Sequence, residues 1–185
     1  KELPPSLPLK EKEGVLLQLR RNTPETGERL KSHHYLNNMA AKREIGPSPH
    51  REGIFLTKEG HLCEGITSNL FWVKDAELYT PAVETGLLNG ITRQFILALA
   101  DRIKMPVREG MFGKEQLLDA HEVFFTNSVQ EIIPVNKIDS VNFPGRNGEY
   151  SRLFYEQYSK YTGQLNSIEE LEQGESCNEV REIRT

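Results

Sequence analysis

The 185-residue chain has no apolar run approaching the roughly 18 residues of a membrane-spanning helix, so no such span is expected. It has no polybasic block, and its formal net charge is −4, so nucleic acid is not an expected partner. It has no visible signal peptide, although it does not begin with Met. It has only two cysteines, Cys63 and Cys177, far apart in unlike surroundings. They read as unpaired thiols of a reducing compartment, with a single bridge as the alternative. No internal repeat is present. What the chain does have is 37% hydrophobic and 27% charged residues, enough for one domain with a real core.

The two ends differ from the middle. Residues 1–13 are rich in Pro, Lys and Glu and read as a linker. Residues 14–162 read as the folded domain, and 163–185 as a polar tail, mobile or weakly helical. A strand is expected over 14–21, followed by turn chemistry over 22–27. A helix follows, with Ser32 as N-cap and Tyr35, Leu36 and Met39 as its apolar stripe, ended by Gly46-Pro47-Ser48-Pro49. Short strands over 52–57, 61–65, 68–74 and 77–80 read as an antiparallel meander rather than a βαβ repeat. A loop over 81–89 leads to a helix opening at Gly90, with Phe95, Ile96, Leu99, Ala100 and Ile103 turned inward. A strand over 105–108, a short helix over 114–120, strands over 122–126 and 131–138, and a helix over 150–161 complete the pattern.

Four segments carry candidate chemistry. Lys31 stands at the mouth of the first expected helix. Positive partial charge there, and burial, both push an ammonium below its usual pKa of about 10.4. A lysine neutral near pH 7 is a nucleophile able to form a Schiff base with an aldehyde; a solvated loop lysine is the bland reading. Glu64 sits between apolar Leu62-Cys63 and a glycine turn, where a partly buried carboxylate needs a cationic partner. An arginine would serve, as would a protonated ring nitrogen; on this segment alone the arginine is favoured. Gly90-Ile91-Thr92 opens a helix whose free N–H groups suit a phosphate, without the glycine–lysine spacing of a Walker A loop. An ordinary helix start is the alternative. Asn127-Ser128 offers an amide, a hydroxyl and backbone N–H groups after a strand, or an ordinary turn.

Taken together, Lys31-Ser32 with Tyr35-Leu36-Asn37-Asn38, Glu64-Gly65-Ile66-Thr67-Ser68-Asn69-Leu70-Phe71, Leu88-Asn89-Gly90-Ile91-Thr92-Arg93 and Thr126-Asn127-Ser128 with Glu131-Ile132-Ile133-Pro134-Val135 resemble the fold-type IV pyridoxal-phosphate enzymes. These include branched-chain and D-amino acid aminotransferases and aminodeoxychorismate lyases. The segments 20–25 and 30–39 are most similar to the lyases. The resemblance implies an α+β fold of mostly antiparallel strands in a barrel-like sheet flanked by helices. It implies pyridoxal 5'-phosphate bound by Lys31, Tyr35, Glu64, Leu88, Gly90, Ile91, Thr92, Asn127 and Ser128, with Lys31 catalytic and no metal. His34 and Val129 would line the substrate side, although His33 and His34 also read as packing or solvent-facing residues. The implied activity is a lyase acting on a small molecule in folate biosynthesis, in a cytoplasmic homodimer. An aminotransferase of the same site, or an inactive or structural fragment, are the alternatives. The family's smaller N-terminal domain has no counterpart in this sequence, so the chain is expected to retain the cofactor lysine but turn over poorly alone.

Overall fold

The computed structural model describes residues 10–21 and 35–165, without the side chains of 163–165. Lys31, Ser32, His33, His34 and Cys177 therefore lie outside the described residues. The strands are β1 (Lys12–Arg20), β2 (Arg51–Leu56), β3 (Leu62–Gly65), β4 (Asn69–Lys74), β5 (Glu77–Pro81), β6 (Val107–Gly110), β7 (Glu122–Asn127), β8 (Glu131–Ile138) and β9 (Val141–Asn142). The helices are α1 (Leu36–Ile45), α2 (Ile91–Arg102), α3 (Lys114–Leu118) and α4 (Glu149–Leu165).

One sheet runs β3-β2-β1-β8-β7-β4-β5-β6, with β9 beside β8. It curls until its edges meet: the Leu62 N–H of edge strand β3 donates at 2.7 Å to the carbonyl of Phe112, just past the end of edge strand β6. Most pairings are antiparallel, which together with the flanking helices gives the expected α+β barrel-like sheet. Two features depart from the expected meander. β3 and β4 are not neighbours, so 52–80 forms two separate hairpins, β2–β3 and β4–β5. The pairs β1–β2 and β5–β6 are parallel, and each is bridged by a helix, so two βαβ crossovers are present after all. Strand alternation reports burial, not the partner across the ladder, and so could not exclude them.

The central strands explain their own composition. Leu70 and Trp72 of β4 enter one core with Ile54, Phe125 and Val135. Phe71 and Val73 enter another with Phe124, Ile96, Leu99, Ala100 and Phe154. A strand buried on both faces reads as a continuous apolar run. A third cluster joins Leu17, Phe55, Cys63 and Ile66 to Ala41 and Ile45 of α1. The Cys63 thiol donates to the Thr85 carbonyl at 3.3 Å.

α1 corrects the expected stripe. It begins at Leu36 with Tyr35 at its cap, and Tyr35, Leu36 and Met39 are 45%, 74% and 60% exposed. Its buried side is Ala41 and Ile45, because a small residue lets the helix approach the sheet closely. β1 starts earlier than expected, at Lys12, whose ammonium is buried. At the other end, the Glu122 carboxylate accepts from the N–H groups of Tyr150 and Ser151 at 3.0 and 2.9 Å and so caps α4. Glu122→Ala is expected to cost about 1–2 kcal/mol, the scale of a lost cap plus a lost charge–dipole contact, measurable by urea unfolding.

Candidate active site

Strand register brings the candidate residues to one end of the sheet. Ile54 pairs with Gly65, Asn69 with Thr126, and Asn127 with Glu131. Glu64 at the end of β3, Asn69 at the start of β4 and the Asn127–Glu131 turn therefore share that end. α2 joins them through its first turn. Asn69 Nδ2 donates to the Leu88 carbonyl at 2.7 Å, and a Cβ at Gly90 would lie 2.5 Å from Asn69 Oδ1. The chain passes so close to Asn69 that only glycine fits without displacing it.

Glu64 is 6% exposed, and both of its oxygens are held. Oε2 accepts from the Leu88 N–H at 2.9 Å, and Oε1 pairs with Arg21 Nη2 at 2.9 Å. Burial pushes its carboxyl up to about 7, against the opposing pull of Arg21 and the Leu88 amide. The arginine that the sequence favoured as its partner is thus present. Arg21 falls within segment 20–25, to which the sequence assigns no role, and its position just past the end of β1 gives no sign that it meets β3.

The start of α2 is held from below. Arg93, 1% exposed, donates to Asn89 Oδ1 and the Pro81 carbonyl, each at 3.0 Å, and pairs with Glu109. Gln94 Nε2 donates to the Asn89 carbonyl at 3.1 Å. These bonds fix the 87–90 loop against β5 and β6. No side chain caps α2, whose cap position is Gly90. Thr92 is buried, and its hydroxyl is bonded to the Tyr158 phenol. Ile91 projects its side chain outward, 79% exposed.

The facing turn is self-braced. Asn127 Oδ1 accepts from the Val129 and Gln130 N–H groups at 2.9 and 2.7 Å, and Glu131 closes the turn at φ +60°. Ser128 is exposed and Val129 is 89% exposed. Gln130 accepts from the buried Lys12 ammonium at 2.9 Å, which also pairs with Glu52 at 3.4 Å. Glu52 accepts in turn from the Thr67 N–H and the Ser68 hydroxyl. Lys12 therefore ties the Asn127 turn to the turn that follows Glu64. Asn38 Nδ2 donates to the Ile66 carbonyl, tying α1 to the same turn. Asn69, Arg93 and this Lys12–Glu52 pair are site-building residues that sequence spacing did not single out.

The donor set suits pyridoxal phosphate. It has a buried carboxylate for a ring nitrogen, an uncapped helix start with a hydroxyl for a phosphate, and a glycine where a Cβ would fill the approach. Thr126 Oγ1, on the strand beside Asn69, is buried with no hydrogen-bond partner among the described residues. Leu88 of this loop is half-buried, and Tyr35, at the cap of α1, is exposed.

Such a sheet end, with carboxylate and helix mouth in place, agrees with sequence comparison: residues 1–138 match the family model described as amino-transferase class IV, and the chain belongs to that family. Among curated proteins it is 53% identical over 157 residues to the aminodeoxychorismate lyase of Bacillus subtilis, covering 85% of this chain and 53% of that protein. The chain thus spans about half the length of that relative. The solved branched-chain amino acid aminotransferase of Escherichia coli is 30% identical with a TM-score of 0.76, over 82% of this chain and 52% of that one. A branched-chain amino acid aminotransferase from Thermobaculum terrenum, solved in its PLP-form, is 25% identical with a TM-score of 0.77, over 83% of this chain and 51% of that one.

Proposed function

We propose that this chain is the cofactor-binding domain of a pyridoxal-phosphate-dependent lyase that converts 4-amino-4-deoxychorismate into 4-aminobenzoate and pyruvate. The observation that carries this reading is the 53% identity over 157 residues to a lyase, against 35% over 133 residues to the E. coli branched-chain aminotransferase, on a site with donors that suit the cofactor. When bound, pyridoxal phosphate supplies a ring that accepts the electron pair released at the substrate carbon. Glu64 would hold the ring N–H. Leu88 would pack on the ring face, with Tyr35 near the ring hydroxyl. The N–H groups of Ile91 and Thr92, with Gly90 leaving room, would donate to the phosphate, and Asn127 and Ser128 would face it. Lys31 Nζ would hold the cofactor and move the proton taken from the substrate ring. His34 and Val129 would line the substrate side. The carbon–oxygen bond to the enolpyruvyl group breaks and that group leaves as pyruvate. The amino group stays on the ring, so no keto acid is consumed. A cytoplasmic homodimer is the assembly and location that accompany this reading, checked by sedimentation and cell fractionation.

The test uses the full-length enzyme that carries this chain. Incubation with 4-amino-4-deoxychorismate is expected to release 4-aminobenzoate and pyruvate in equal amounts. Glutamate formed from 2-oxoglutarate and a D- or branched-chain amino acid, without 4-aminobenzoate, would establish the aminotransferase instead. Gly90→Ala bears on the helix mouth alone. It displaces the Asn69 amide from Leu88 and is expected to weaken pyridoxal phosphate binding by about tenfold, the equivalent of one lost hydrogen bond. Fluorescence titration of the apoenzyme measures it.

A further inference from the structure

Arg21 is the group whose placement exceeds what a simple counter-ion needs. Its backbone N–H donates to the Leu56 carbonyl at 2.8 Å, extending the β1–β2 ladder by one residue. Its guanidinium lies 5.5 Å from the centre of the Phe55 ring, and its side chain is 21% exposed. Its Nε is buried without a partner among the described residues, so the Glu64 contact is the polar contact that orients the guanidinium. With the Leu88 amide on the other oxygen, the plane of the Glu64 carboxylate is fixed from both sides. A planar guanidinium, stacked and anchored in this way, suits that task better than an ammonium.

We propose that Arg21 is a positioning residue that holds Glu64 as an oriented carboxylate and, through it, keeps the proton on the cofactor's ring nitrogen. This rests on the reading that Glu64 meets that nitrogen. Without Arg21, burial favours the neutral acid, which has no charge to offer a ring N–H. Among the described residues, the 87–90 loop gives Glu64 the Leu88 amide, and the uncharged Phe55 of β2 lies against the Arg21 guanidinium. Arg21 is the charged group acting on it.

The experiment compares the affinity of the full-length apoenzyme for pyridoxal phosphate and for its analogue with C–H in place of the ring nitrogen. The unaltered enzyme is expected to prefer pyridoxal phosphate by tenfold or more. Arg21→Met is expected to bring that ratio close to one, with Arg21→Gln used if Arg21→Met does not fold. A variant that keeps the full preference overturns the proposal and leaves the Glu64 reading standing. An unaltered enzyme with no preference overturns the Glu64 reading itself. A second readout needs no cofactor. The thermal midpoint of the apo variant should fall further below that of the unaltered protein at pH 8, where Glu64 is ionised, than at pH 5. Equal losses at both pH values would show that Arg21 only packs.

Discussion

Lys31→Ala is expected to remove the absorbance band of the bound cofactor near the visible edge and to lower turnover by at least about 10³-fold. Proton transfer by a positioned side chain alone contributes about 10²–10⁴-fold, and this lysine would also lose its covalent hold on the cofactor. The fold should survive. The three core clusters of the described residues close through their own contacts across the sheet and its helices. Far-ultraviolet circular dichroism and the thermal midpoint of the apoprotein should therefore match those of the unaltered chain. A Lys31→Ala protein that keeps both the band and its borohydride sensitivity would place the cofactor on another amine.

Glu64→Gln should leave the cofactor bound and slow turnover by about 10²–10³-fold, the range for removing one preorganised charged partner from a reacting centre. It also has a pH signature in the apoprotein. The Glu64 carboxyl is pushed from 4.5 to about 7 by burial. Between those values the folded chain keeps a proton that the unfolded chain has released, so stability from this group falls as pH rises through 7. A displacement of that size is worth on the order of 3 kcal/mol. Glutamine does not titrate. Relative to Glu64→Gln, the unaltered protein should be at its most stable below pH 4.5 and lose ground steadily up to pH 7 and a little beyond. Urea unfolding of both proteins from pH 5 to 8 measures it; parallel curves would contradict the burial of an ionisable Glu64.

The sequence made element type and the chemical end of the sheet legible for a physical reason. β4 and β7 carry unbroken apolar runs at their centres, Leu70 to Val73 and Val123 to Phe125, because both faces are covered, and α2 announces itself by Gly90 and the spacing of Ile96, Leu99 and Ala100. Topology was less legible. Nothing in the composition of β3 and β4 states that two strands joined by three residues belong to different parts of the sheet. The α1 stripe misled because apolar spacing marks a face without saying that the face is covered, and here Leu36 and Met39 look outward. In the candidate site, Glu64, Gly90 and Asn127 stood out by local chemistry. Arg21, Asn69 and Lys12 did not, because each matters through a residue remote in sequence: Glu64, Gly90 and Gln130.

The account turns on one cofactor gripped at this sheet end and joined to one lysine. Borohydride reduction of the cofactor-loaded full-length enzyme, followed by digestion and mass spectrometry, tests that most directly. A single pyridoxyl group on the peptide containing Lys31 is the predicted result; the group on any other lysine, or none after saturating pyridoxal phosphate, would contradict it.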